Sequence, residues 1–286
     1  MAITPQQWMS APWPVAAIPS TATLRNELSA GLPTASYSVI IRRRMPFAIM
    51  QKELLAPSVE HLARAFRSLP KLTALDAQTA ANDAFGILWR GLDVEEASAL
   101  QDALMKQSIE VEVLEESELP VLPPSKVIKQ IEILPEHLSM YDPMGRIFTL
   151  PWRDLMLIAA GNVHRRDYKA KAAHSPAEAA RNHEGPRGDD KMHLMLELVL
   201  GGGVARYSMI ADEFVFNHLG VRLTKDTARN FELVVRELSE YAAHAGLNRG
   251  AFLICQGEKE VFTYPSKASF FEEITWLLWR IAGQRS

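Results

Sequence analysis

Apolar and polar positions change period along the chain, and the changes predict a mixture of strands and helices. Residues 37–41 (YSVII) are a run of strand-type residues. After Ser58, an N-cap type, apolar residues fall at Val59, Leu62, Ala63 and Phe66, the spacing of one helix face. An Ala-rich stretch, 74–83, predicts a second helix beyond Pro70. Ile87, Leu88 and Trp89 predict a strand. Asp93 then opens a helix with Glu95 and Glu96 in its first turn, where the macrodipole favours them, and Ala97, Leu100, Ala103 and Leu104 on one side. Residues 109–114 (IEVEVL) alternate as a half-buried strand does. The order is strand, helix, helix, strand, helix, strand.

The second half begins differently. A strand at 127–133 is followed by Leu138 and Met140, then by Ile147, Phe148 and Leu150, on either side of Asp142-Pro143-Met144-Gly145. Proline presets a turn and glycine supplies positive φ, so this is a hairpin. Pro151 ends it, Trp152 offers a large apolar face to the core, and Asp154 caps the turn into the apolar run 155–158, which Gly161 closes. Residues 192–200 and 204–210 flank three glycines, a second hairpin. A phosphate loop needs a helix after its glycines, and here a strand follows. Phe214 and Phe216 share one face of an extended piece. A helix over 227–244 carries Phe231, Val234, Val235 and Leu238, residues 251–254 read as a strand, and a last helix over 269–281 carries Phe270, Ile274, Leu277, Leu278 and Ile281.

Strands followed by helices in both halves give an α+β chain. Its expected layout is an irregular arm at 1–35, a β-α-α-β-α-β domain at 36–119, a linker at 120–126 stiffened by Pro120, Pro123 and Pro124, and a domain at 127–286 built on a bent antiparallel sheet with C-terminal helices. Residues 164–191 are polar, with few large apolar side chains, and read as a mobile insertion.

Composition narrows the function classes. The 286 residues carry a formal charge of -3, which argues against a chain-wide nucleic-acid or anionic-membrane footprint. Cys255 is the one cysteine, so no intramolecular disulfide and no cysteine-based zinc site is expected. Prolines interrupt the first 35 residues, which therefore do not read as a signal peptide, and no apolar run reaches the length of a membrane span. The expected location is cytoplasmic.

Residues 86–115, GILWRGLDVEEASALQDALMKQSIEVEVLE, join a strand, an acidic-capped Ala/Leu helix and an alternating strand. In this the first domain resembles the C-terminal domain of the bacterial ribosomal stalk protein, whose fold is related to that of the Clp protease adaptor. That family meets translation factors through a Gly-rich turn and helix lysines. The matching residues here, 69–78 (LPKLTALDAQ), hold no glycine and a single lysine, Lys71, so factor binding is not carried over. Residues 131–158, with a strand, an Asp-Pro-x-Gly turn, a strand and Leu-Pro-Trp-x-Asp-Leu, resemble the start of bacterial pleckstrin-homology-like domains. That resemblance implies a bent sheet closed by a helix and carries over no lipid-binding residues.

Few constellations point to chemistry. Histidines 164, 174, 183 and 193 lie near Asp167, Glu184, Asp189 and Asp190, but their spacing is not a helical pair. Cys255 sits in an apolar run and reads as an inert thiol. Arg229, Arg236 and Arg249 make an anion site if they converge. Arg42, Arg43 and Arg44 read as a solvated strand end. The expectation is a non-enzymatic adaptor for an unknown protein partner, with no cofactor and no metal. Its candidate contact residues are Arg165, Arg166, Lys169 and Lys171 in the insertion and Trp8 and Trp13 in the arm. The alternatives are a metal-dependent hydrolase using the histidines and a self-assembling protein that dimerises through the apolar surface of Trp276 and Trp279.

Overall fold

Three sheets organise residues 45–83, 85–166 and 190–283, which the computed structural model describes. The arm with Trp8 and Trp13, the strand expected at 37–41, the basic run Arg42 to Arg44, and Lys169, Lys171, His174 and His183 lie outside these residues.

The chain is α+β. Its first unit runs β1 (Phe47–Gln51), α1 (Val59–Phe66), α2 (Ala74–Asp83), β2 (Ile87–Leu92), α3 (Val94–Met105) and β3 (Val111–Glu115). The strands pair antiparallel in the order β2-β1-β3. The first described strand is thus FAIMQ. Four of its five residues are buried, so no polar alternation marks it in the sequence. α3 starts at Asp93 by a full capping box. The Asp93 carboxylate accepts from the Glu96 N–H, and the Glu96 carboxylate accepts from the Asp93 N–H. All three helices cover one face of the sheet, with Leu62, Phe66, Ala77, Leu100 and Leu104 packed on Ile49, Leu88 and Val111.

The remaining strands are β4 (Ser125–Val127), β5 (Gln130–Ile133), β6 (His137–Tyr141), β7 (Ile147–Pro151), β8 (Leu155–Arg166), β9 (Asp190–Leu200), β10 (Arg206–Ile210), β11 (Gly246–Leu247) and β12 (Thr263–Tyr264). Between and after them come α4 (Thr227–Tyr241), α5 (Arg249–Gln256) and α6 (Lys267–Gly283). The expected antiparallel sheet is present as β8-β9-β10. It is extended by parallel pairings, β4 on β10 and β11 and β12 on β8, into a mixed sheet. β5, β6 and β7 form a separate small sheet. Its 142–145 turn is held by the Asp142 carboxylate, which accepts from the N–H groups of Met144 and Arg146 and from Arg146 Nε, and Gly145 takes φ +77°.

Two expectations are corrected. Gly161 does not end β8, which runs on to Arg166. The glycine is required because the Tyr264 ring lies over it, 2.4 Å from where a Cβ would stand. The ends of the expected 164–191 insertion are therefore paired ladder, with Arg166 opposite Asp190. Residues 251–254 are not a strand but the middle of α5. Asn248 caps that helix by accepting from the Ala251 N–H, and Gly257 closes it in the left-handed region at φ +86°. A four-residue apolar run fits either element; the caps decide.

The two halves share a core. The uncovered face of the first sheet, with Ala48, Met50 and Ile87, meets Leu157, Val163, Met195 and Val199 of the large sheet, and α6 lies among them with Phe270, Ile274, Trp276 and Leu277. Trp276 Nε1 donates to the Gln51 carbonyl at 2.7 Å. Its indole occupies the space above Gly86, where a Cβ would stand 2.2 Å from Trp276 Cγ. The Trp276 surface expected to support a dimer is therefore used inside the chain, with 1 % of it accessible, and Trp279 packs half-buried against the same core. The Pro-rich stretch 120–126 is packed down as well: Leu119 enters this core, Arg206 Nε donates to the Pro123 carbonyl, and Ser125 begins β4. Trp152 is the core anchor expected of it, donating from Nε1 to the Leu134 carbonyl and stacking on Tyr241. The other face of the large sheet packs on the small sheet, α4 and α5.

Candidate functional site

β2 stands at the end of its sheet. β1 pairs with its inner edge, and no strand among the described residues pairs with its outer edge. A groove of about 320 Å³ follows that outer edge. Its lining is Ile87, Leu88, Trp89 and Arg90 of β2, Thr79 and Ala80 of α2 on one side, and Glu272 of α6 on the other. The volume falls at the lower end of the range of ligand clefts, roughly 300–1,000 Å³.

Local sequence explains each wall. The Phe66 ring meets the Trp89 indole edge-on at 5.5 Å, which fixes Trp89 at the rim. Thr79 and Ala80 are small, so α2 leaves room beside the strand. Arg90 is the one charged residue of β2, and its Nε lies 4.0 Å from Glu272 Oε1 across the groove. A charge on an edge strand guards it against indiscriminate pairing. At the Arg90 end, apolar side chains reach solvent. Leu75, one helical turn before Thr79 on the same face, is 70 % exposed, and Val94, just past β2, is 59 % exposed. The Lys71–Glu96 ion pair holds the starts of α2 and α3 together there.

Two buried polar networks lie elsewhere. In the first, Glu197 on β9 is 1 % exposed and faces Arg206 and Ser208 of β10, Ser125 of β4 and Lys267 at the start of α6. Arg206 Nε is 3.6 Å from Glu197 Oε2, Ser125 Oγ donates to the same oxygen at 3.3 Å, and the Arg206 guanidinium stacks over Phe271 at 4.5 Å. Burial raises the Glu197 pKa; the Arg206 charge and the serine hydroxyls oppose that rise without cancelling it.

In the second, Glu273 accepts from the Arg249 N–H at 2.8 Å and from the Tyr264 hydroxyl at 2.6 Å. Tyr264 accepts in turn from Asn248 Nδ2, and Asn248 Oδ1 accepts from the Ala160 and Ala251 N–H groups. Burial, with the Glu273 carboxylate beside it, pushes the Tyr264 hydroxyl well above its usual range. Burial also raises Glu273, against the Arg249 charge. Asn248, Tyr264 and Glu273 have no accessible surface. The network clamps α5 and α6 onto β8.

The sequence-derived candidates that are described lie in separate places. Arg165 and Arg166 end β8, in register with Lys191 and Asp190. Lys169, Lys171, Trp8 and Trp13 lie outside the described residues. His193 pairs across from Val163 and His164 from Met192, so the two histidines belong to opposite faces of the ribbon. His193 Nδ1 is 3.2 Å from Asp212. Among the described residues no three His, Cys, Asp or Glu side chains gather as a metal would need. Cys255 is half-buried with its Sγ 3.2 Å from Ser239 Oγ. Arg229 pairs with Glu232. Arg249 at the start of α5 stacks over Phe85 and Phe262, and Arg236 lies beside Gly257 past its other end, so the three arginines do not converge. The groove was missed because an edge strand is defined by its neighbours. The one local signal is the arginine inside ILWRGL.

Comparison with protein-family models, with curated proteins and with solved structures gave no match to this chain. No helix among the described residues is long and apolar enough to cross a membrane.

Proposed function

We propose that this is a non-enzymatic binding protein that takes an extended segment of a protein partner along the outer edge of β2. The observation that carries the reading is a strand edge that no described strand pairs with, lying in a groove between two helices. Main-chain groups of the edge supply affinity by strand addition, and alternate side chains of the guest meet Trp89, Ala80 and Leu88. Walls on both faces favour a bare segment over another sheet, whose own covering layers would collide with α2 and α6. Each added main-chain hydrogen bond contributes about 0.5–1.5 kcal/mol. A short segment alone therefore binds weakly, and the exposed Leu75 and Val94 extend the contact.

The test uses random octapeptides displayed for selection on the full chain. Thr79 is exposed, so Thr79→Arg fills the groove without disturbing the core. Selected peptides should bind the wild-type protein, slow amide exchange in β2, and lose binding to Thr79→Arg, whose circular dichroism should match wild type. No selected peptide, or peptides that bind Thr79→Arg equally well, would overturn the reading.

A further inference from the structure

We infer that the segment taken by the groove carries a carboxamide side chain, asparagine or glutamine, at the position that faces Arg90 and Glu272, with apolar residues at the alternate positions that face α2. This rests on the strand-addition reading above and adds to it the chemistry of the guest.

The two walls ask for different side chains. Successive residues of an extended segment point to opposite faces of a sheet, so a guest on the outer edge of β2 turns one set of side chains toward α2 and the other toward α6. On the α2 side the lining is Thr79, Ala80, Leu88 and Trp89. Leu88 and Trp89 belong to the cluster beneath the three helices, where Phe66 meets the Trp89 ring. Small and apolar neighbours of this kind favour an apolar guest residue. On the α6 side, Ile87 joins the cluster that holds α6, and Arg90 faces Glu272. The pairing of β2 with β1 shifts register about Trp89, and a shift of this kind lets two consecutive residues share a face.

Arg90 and Glu272 are the charged residues of the lining. Their Nε and Oε1 atoms stand 4.0 Å apart, a distance at which the charges attract without sharing a hydrogen bond. Their side chains are 39 % and 31 % exposed, so a strand laid along β2 covers them further. Covering a charged pair costs free energy unless new hydrogen bonds replace those made to solvent. An apolar side chain replaces none. A lysine or arginine meets the like charge of Arg90, and an aspartate or glutamate meets that of Glu272. A carboxamide answers both groups: its oxygen accepts from the guanidinium and its NH2 donates to the carboxylate. Having no net charge, it leaves their mutual attraction intact.

The octapeptide selection tests this when run in parallel on wild type, Glu272→Lys and Arg90→Glu. Wild-type selections should enrich Asn or Gln at one position, with apolar residues on either side of it. Glu272→Lys sets two cations at that place and should shift the preference to Asp or Glu. Arg90→Glu sets two anions there and should shift it to Lys or Arg. A synthetic selected peptide should bind the wild-type protein about threefold to tenfold more weakly when its Asn is replaced by Leu or Asp, or its Gln by Met or Glu. That measurement uses the unaltered protein and so holds even where a charge variant fails to fold. Selected peptides that depend on Thr79 but show no amide preference, or keep one unmoved in both charge variants, would overturn this inference and leave the groove reading standing. Peptides indifferent to Thr79→Arg would remove both.

Discussion

Trp276→Ala is the substitution that most directly tests whether the two halves of the chain share one core. The indole is 1 % exposed, lies over Gly86 and packs among Met50, Ile87, Ile274 and Leu278. Deleting a buried Trp to Ala costs about 3–5 kcal/mol. The Nε1–H bond to the Gln51 carbonyl adds about 1 kcal/mol. Gly86 has no side chain to move into the void, so relaxation recovers little, and the expected loss is about 4–6 kcal/mol. That is a large part of an ordinary domain's total of about 5–15 kcal/mol. Trp276→Phe keeps most of the ring volume and loses the donor, and should cost about 1–2 kcal/mol. Urea unfolding followed by far-ultraviolet circular dichroism and by tryptophan fluorescence measures both, and the wild type should unfold in one transition by either probe. A loss below about 1.5 kcal/mol for Trp276→Ala would refute the reasoning, since a void of that size cannot be so cheap. So would a wild-type protein that unfolds in two separate transitions.

Two further outcomes follow from the buried networks. In Gly250→Ala the new Cβ would stand 1.9 Å from the Ala160 carbonyl oxygen, backbone against backbone, so α5 must lift from β8. The expected cost is about 3 kcal/mol, a fall in Tm of roughly 6–10 °C, and an unchanged melting curve would contradict the packing described. Glu197 has a folded-state pKa raised above its ordinary 4.5, chiefly by burial. The fold then favours the protonated acid, so this contribution to stability is present below pH 4.5 and lost as pH rises through the raised value. Glu197→Gln should flatten the decline of the urea midpoint above pH 4.5; a slope identical to wild type would sink the assignment. The slope is the readout, because the variant also leaves Arg206 without its carboxylate.

Much of the architecture was legible where local chemistry was sufficient. α2 spans the residues its Ala-rich stretch marks, α3 begins at Asp93 because the side chain there satisfies a backbone donor, and the turn at 142–145 needs little beyond its own aspartate and glycine. Most of the failures were tertiary. β1 is buried on both faces, so its pattern carries no period. The apolar run in α5 fits strand or helix, and its caps at Asn248 and Gly257 were the overlooked signal. Gly161 looked like a stop and proved to be the place where a tyrosine from a hundred residues later crosses the strand. The groove depends on which strand ends the sheet and which helix passes beside it, and neither is written in any short stretch. Glu197 was the better clue: a single carboxylate within MLELVL requires a buried partner, and Arg206 on the neighbouring strand supplies it.

The bond from Trp276 to Gln51 joins residues 225 positions apart, and this sets an order of events during synthesis. A ribosome adding about 5–20 residues per second leaves β1 waiting roughly 11–45 s for the helix that covers it. Through that interval the first sheet has its three helices on one side and nothing of α6 on the other, with Ala48, Met50 and Ile87 open to water or to another nascent chain. Slowed translation between the two halves therefore lengthens the exposure of this particular surface, and termination between β3 and α6 leaves a fragment whose first sheet keeps its three helices and lacks the α6 residues that cover its other face.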